Sequence, residues 1–108
     1  MNAWDIFDFP FPWGTHPAVI VSGDKRVANK PDVVVLACRT MQPQTKDVDK
    51  LESVLDAADG LDWKTICNLD LFFTVPKANL TNRRGSVIRP RRIDISRKMI
   101  QGLAIAGL

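Results

Sequence analysis

The chain has 108 residues, 45% hydrophobic and 25% charged, enough for one small core but not for a second domain, so a single domain over residues 1–108 is expected. Its net charge of +3 hides an asymmetry: residues 1–80 hold eight basic and eleven acidic side chains, whereas residues 81–108 hold seven basic and one acidic. With one histidine, two cysteines and no tyrosine, a paired-histidine acid–base mechanism and a structural zinc site within one chain are excluded.

The opening residues, MNAWDIFDF, carry acids where a secretory signal carries a basic region. No apolar run approaches the roughly 20 residues that span a bilayer, so a cytoplasmic protein with no membrane partner is expected. Trp4 to Phe9 mixes apolar and acidic positions like a half-buried strand, and Pro10 and Pro12 withhold ladder donors, which predicts a loop from Pro10. HPAVIVSG (His16 to Gly23) is a β-branched run ended by Gly23 and Asp24; KPDVVVLACRT (Lys30 to Thr40) repeats the design with a longer apolar stretch, and these two strands are predicted at the centre of a sheet. Cys38 and Cys67 each lie inside an apolar segment and read as buried, reduced thiols.

Met41 to Asp49 is predicted as a loop. Val48 to Ala58 is ambiguous, since Val48, Leu51 and Leu55 suit a helix while LESVL (Leu51 to Leu55) fits a short strand, and Trp63 to Val75 reads as one bent strand or two joined at a bulge, closed by Pro76. Lys77 to Gly85 has room for a helical turn before a short strand, SVIRP. From Asp94, the stripe of Ile95, Met99, Ile100, Leu103 and Ala104 predicts an amphipathic helix with Asp94 as N-cap and Gly107 as terminator. Arg97 and Lys98 would then sit near its N-terminal end, where the helix dipole disfavours cations. Short turns between strands and a terminal helix give a mostly β fold, a small antiparallel barrel or curled sheet with a helix packed on it.

The chain has no Gly-x-Ser-x-Gly elbow, Walker loop, Gly-x-Gly-x-x-Gly or His-Glu-x-x-His. What remains is a polar rim. His16 opens the second strand, Arg39 and Thr40 end the third, and Thr65 and Asp70 lie on a later one. In an antiparallel pair the start of one strand lies beside the end of its neighbour, so His16 can approach Arg39 and Thr40, where a cation beside a hydroxyl would hold a phosphate. Each also has a plain structural use: His16 in a turn, Arg39 in an ion pair, Thr40 at a strand end. Six of the seven basic residues after position 80 are arginines, including Arg83 and Arg84, which favours a polyanionic partner, nucleic acid or acidic protein.

Three segments taken together, WDIFDFPFPWGTHPAVIVS, VVVLACRTMQPQ, and DGLDWKTICNLDLFFTVPKANL with RRG after it, resemble the MazF/PemK superfamily of toxins. They match a first strand leading through a Pro/Gly loop to (R/H)-P-(A/V)-(L/V)-(V/I)-(L/V)-S, a third strand ending in threonine, and a GL…S…(D/E)Q segment. The resemblance runs almost end to end. It implies a CcdB/MazF-type fold, an SH3-like small barrel with a C-terminal helix, and favours LESVL as a strand. It also implies a homodimer neutralised by a cognate antitoxin, and a sequence-selective, metal-independent endoribonuclease acting on single-stranded RNA without a cofactor. The family's catalytic threonine falls on Thr40. Its catalytic arginine falls on His16, a departure from the pattern, with Arg39 a candidate for the missing charge. Thr65 takes the family's serine position and Asp70 its acidic one; Asn68 is a further polar candidate. Trp13, in the loop between the first two strands, offers a stacking surface for a base or covers the barrel's open end, and Arg83 and Arg84 would bind backbone phosphates. The alternative implied is a catalytically silent member of the fold that acts by binding, to operator DNA together with antitoxin or to a protein target.

Overall fold

In a computed structural model that describes residues 1–44 and 48–103, period-two alternation divides the apolar side chains between the two faces of one sheet. The strands are β1 (Asp5–Phe11), β2 (Gly14–Ile20), β3 (Asp32–Thr40), β4 (Glu52–Leu55), β5 (Thr65–Pro76) and β6 (Thr81–Ser86), with helices α1 (Asp24–Asn29) and α2 (Arg89–Gly102). They form a curled, fully antiparallel sheet in the order β4-β5-β3-β2-β1-β6, with β3 and β2 at its centre as expected. One face buries Ile6, Val19, Leu36, Leu55, Leu69 and Val87 against Ile95 of α2. The other buries Ala18, Ile20, Val33, Val35 and Val75 with Val27 of α1. This is the mostly β architecture with a C-terminal helix read from the sequence. No helix among the described residues is long and apolar enough to cross a membrane.

Several boundaries differ from the sequence expectation. The loop predicted at Pro10 is strand as far as Phe11, and Pro12 and Trp13 alone make the turn. Pro10 is tolerated because β6 pairs with β1 only as far as Asp8, so beyond that point β1 has one neighbour. Pro12 fixes φ near −65°, which rules out the primed turns that usually close such hairpins; Gly14, at φ +129°, takes the conformation that turns the chain back. The strand predicted as SVIRP is shifted back to Thr81–Ser86, and the helical turn before it is a 3-10 turn over Lys77–Asn79.

Helix α2 begins six residues earlier than predicted. Ile88 is its N-cap, Pro90 occupies the first turn where a missing N–H costs nothing, and Asp94 lies inside the helix. Arg97 and Lys98 therefore sit past the middle of the helix, away from its positive end, and the cations placed there are instead Arg89, Arg91 and Arg92. Ala104 and Gly107 lie outside the described residues. The expected LESVL strand is present as β4, and Trp63 to Val75 gives the single strand β5, whose register with β3 shifts between Leu36 and Cys38. Cys38 and Cys67 face each other across that pair as free, buried thiols, and the bond to Cys38 together with burial pushes the Cys67 thiol up.

Arg91 is accommodated by an acidic turn in which Asp59 is buried. After β4 the chain makes a 3-10 turn over Ala57–Asp59, capped by Asp56, whose side chain accepts from the Ala58 N–H while Asp59 accepts from the Asp56 N–H at 3.0 Å. Asp59 is 1% exposed, and its other oxygen accepts the Ile88 N–H at 3.0 Å, satisfying an orphan donor at the start of α2. Arg91 bonds both Asp56, at 2.8 Å, and Asp59. The same turn presses on β6: a Cβ on Gly60 would overlap the Arg84 carbonyl oxygen, and one on Gly85 would overlap that of Asp59. Two glycines thus let two backbones touch, fixing the residues after Gly60 against Arg84.

Gly85→Ala should destabilise the fold by at least about 1–3 kcal/mol, the usual cost of overpacking, read as a lower urea midpoint at unchanged slope. Acid should probe the ion network separately. The Arg91 hydrogen bonds, with help from the Ala58 N–H, lower the Asp56 carboxyl from its ordinary 3.8 to about 2. A carboxyl depressed on folding stabilises fully above its unfolded pKa, and that contribution is lost as pH falls from about 4 to about 2. Arg91→Gln should start less stable at pH 6 and lose less over that window; urea titrations from pH 6 to pH 2 that fall in parallel for both proteins would contradict this account.

Candidate functional site

At one end of the sheet the hairpin between β1 and β2, the end of β3, the start of β5 and the middle of β6 surround a cleft of about 210 Å³. Its walls bring together Asp8, Thr15, His16, Thr40, Asp62, Trp63, Thr65 and Arg84. The register explains the gathering. Thr40 pairs with Thr65 across β3 and β5, and Asp8 pairs with Pro17 on one side and Thr81 on the other. Alternation along β2 gives Thr15 the face of Val19 and His16 the face of Ala18, so His16 belongs to the rim of the cleft rather than its floor.

Arg84 is the cation of this cleft. Its guanidinium donates to Asp8 at 3.1 Å and to Asp62 at 2.8 Å, and its side chain is 18% exposed. Asp8 is at least as covered as Arg84, whereas the Asp62 side chain is 70% exposed, so one partner is sheltered and the other is in water. The Trp63 indole N–H donates to the Thr40 hydroxyl at 3.1 Å, and the Thr65 hydroxyl donates to the Trp63 carbonyl at 3.1 Å. A half-buried guanidinium and a hydroxyl within one small cleft, with His16 at its rim, can bind a phosphate and place a proton-transfer group beside it.

Of the residues singled out from sequence, the structure brings His16, Thr40, Thr65 and Arg84 together here. Arg39 is not among them. It pairs with Glu52 of β4 at 2.9 Å, as alternation next to Thr40 would have it. Asn68 and Asp70 line a separate, open hollow with Asp49, Lys50 and Glu52 at the β4 edge of the sheet. Trp13 is 55% exposed, stacked on Phe11 at 4.9 Å and leaning on Phe73, so it tops the aromatic cluster on the α1 face. Arg83 pairs with the buried Asp5 at 3.2 Å.

The basic C-terminal quarter is less available than its charge suggests. Arg83, Arg84, Arg91 and Lys98 each bond a carboxylate, and Arg92 bonds the Val87 carbonyl at 2.6 Å; among the described residues only Arg89 and Arg97 of the seven have no hydrogen-bonded partner. Much of the arginine content answers the acids of the first 80 residues. Asp8, Asp62 and Trp63 were not singled out from sequence. The two acids carry no local motif, and Trp63 reads simply as the start of a β-rich run.

No family model matches the chain, and no curated protein does. Solved structures do. An endoribonuclease in complex with its cognate antitoxin from mycobacterial species superposes with a TM-score of 0.82 at 21% identity, over 95% of this chain and 94% of that one. The Mycobacterium tuberculosis toxin MazF-mt6 superposes with a TM-score of 0.78 at 16% identity, over 91% and 94%. A chain of the MazE-MazF structure from Deinococcus radiodurans gives a TM-score of 0.70 at 15% identity, over 98% of this chain and 97% of that one. Sequence resemblance and backbone superposition agree, and the chain has the fold of the MazF toxins.

Proposed function

We propose that this protein is the toxin of a toxin–antitoxin pair and a metal-independent endoribonuclease on single-stranded RNA, with its reaction centre in the cleft of His16, Thr40 and Arg84. The observation that carries the reading is that Thr40 and Arg84 line one cleft of about 210 Å³ with His16 at its rim, on a MazF fold. That volume is below the range of pockets for drug-sized ligands and suits one phosphodiester unit. In the reaction, a ribose 2′-oxygen bonds to the adjacent phosphorus while the P–O5′ bond breaks, leaving a cyclic phosphate and a 5′-hydroxyl. Arg84 and the Thr40 hydroxyl are the donors for charge developing on the phosphoryl oxygens. His16 is the group at the rim that supplies the proton the departing 5′-oxygen takes up, and the 2′-hydroxyl proton leaves to solvent.

Arg84 here replaces Arg39 as the cation, since Arg39 is engaged with Glu52 and lines no part of the cleft. An antitoxin partner accords with the antitoxin-bound neighbours of the same fold. A homodimer accords with Ile93 and Ile100 of α2 and Leu103 at its C-cap, apolar side chains more than half exposed. One observation favours the alternative, a silent fold member acting by binding to operator DNA with antitoxin or to a protein: Arg84 already holds two carboxylates, so its charge is answered within the chain.

The test is cleavage of a long single-stranded RNA in EDTA at pH 6 and pH 8. Discrete products are expected from the wild type. His16→Ala, Thr40→Ala and Arg84→Ala should each lower the rate on the order of a hundredfold or more. Loss with Arg84→Ala but not with Arg39→Ala assigns the cation to Arg84. A wild type that leaves the RNA intact at both pH values while inhibiting growth overturns the nuclease reading in favour of the binding one.

A further inference from the structure

We propose that Trp63 is both the positioning residue for Thr40 and the base-stacking surface of the cleft, so that the site takes a phosphodiester flanked by an unpaired base. The inference rests on the reading of the cleft as a phosphodiester site and adds what selects the ligand.

The first half follows from hydrogen-bond bookkeeping. An indole N–H is a donor only, so its bond to Thr40 Oγ1 at 3.1 Å occupies a lone pair of that oxygen and leaves the hydroxyl proton to be given away. Among the described residues Thr40 Oγ1 donates to nothing. The bond therefore turns the hydroxyl into a donor aimed away from Trp63, as a phosphoryl oxygen in the cleft requires. The indole is held from its backbone as well: the Trp63 carbonyl accepts from Thr65 at 3.1 Å, the next carbonyl, of Lys64, accepts the Met41 N–H at 3.0 Å, and Leu61 just before is buried.

The second half follows from exposure. Trp63 is 59% exposed, although its side chain is tethered at one end and its backbone at the other. Trp13, the other exposed tryptophan, has its ring on Phe11 and Phe73, whereas Trp63 has no aromatic neighbour among the described residues. A rigid, wet indole beside a phosphate site is a platform on which a base can stack. In a duplex both faces of a base are already stacked, so only an unpaired base can use it.

The experiment separates the two halves and separates both from the nuclease reading. Binding is measured by fluorescence anisotropy with a 2′-O-methyl single-stranded oligonucleotide, which cannot be cleaved, and turnover with the unmodified RNA. Trp63→Phe keeps a ring and loses the N–H: its Kd should stay within about twofold while kcat falls about fivefold to tenfold, the scale of one hydrogen bond. That loss should vanish when Trp63→Phe is made in Thr40→Ala. Trp63→Ala should in addition raise Kd on the order of tenfold, and a base-paired version of the same oligonucleotide should bind wild type and Trp63→Ala alike. Cleaving wild type with both Trp63 variants unchanged overturns the inference and leaves the nuclease reading standing. Trp63-dependent binding without cleavage overturns the nuclease reading and supports the stacking surface. A wild type that neither binds nor cleaves overturns both.

Discussion

The buried carboxylate of Asp59 is the constraint on which the end of the molecule that carries the cleft depends. A carboxylate at 1% exposure persists only when its oxygens are fully engaged, and here they accept from the Asp56 N–H, the Ile88 N–H and Arg91. These donors come from the turn after β4, the cap of α2 and its first turn. One side chain therefore ties the start of the helix to the loop that leads into β5. Arg91, unfavourable at the positive end of α2, becomes useful because two carboxylates wait there.

The bracket reaches the cleft through backbone contact. Gly60 and Gly85 let the acidic turn lie directly on β6, so the chain that continues through Leu61, Asp62 and Trp63 is placed against Arg84 by packing. The opposite wall comes from the β1–β2 hairpin and the end of β3. Loop and strand residues thus meet on a rigid scaffold, the usual arrangement where side chains must be held to fractions of an ångström.

The central strands were legible in the sequence because β-branched runs such as AVIV and VVVLA leave little choice of structure. Helix α1 was not, since Val27 is its single buried residue and no apolar period marks it. The start of α2 was readable in principle from Pro90, but Asp94 offered a more conventional cap and drew the boundary inward. His16, Thr40 and Thr65 could be gathered from strand order alone, because cross-strand neighbours follow from antiparallel pairing. Arg84 as the cation could not: its partners Asp8 and Asp62 lie 76 and 22 residues away, and only the folded sheet shows that the neighbouring Arg39 belongs to Glu52. The Trp63 bond to Thr40 was hidden for the same reason, since it joins the end of one strand to the loop before another.

The pairing of Arg84 with one sheltered and one exposed carboxylate has a thermodynamic consequence for any polyanion that enters the cleft. A phosphate that took the place of Asp62 would shed the cation condensed on it, but the freed Asp62 would attract a cation in return. The exchange is nearly neutral in ions, so this contact adds little to the dependence of affinity on salt. A guanidinium already dressed in carboxylates favours ligands that also offer shape, hydrogen bonds and a stacking face over those that offer charge alone.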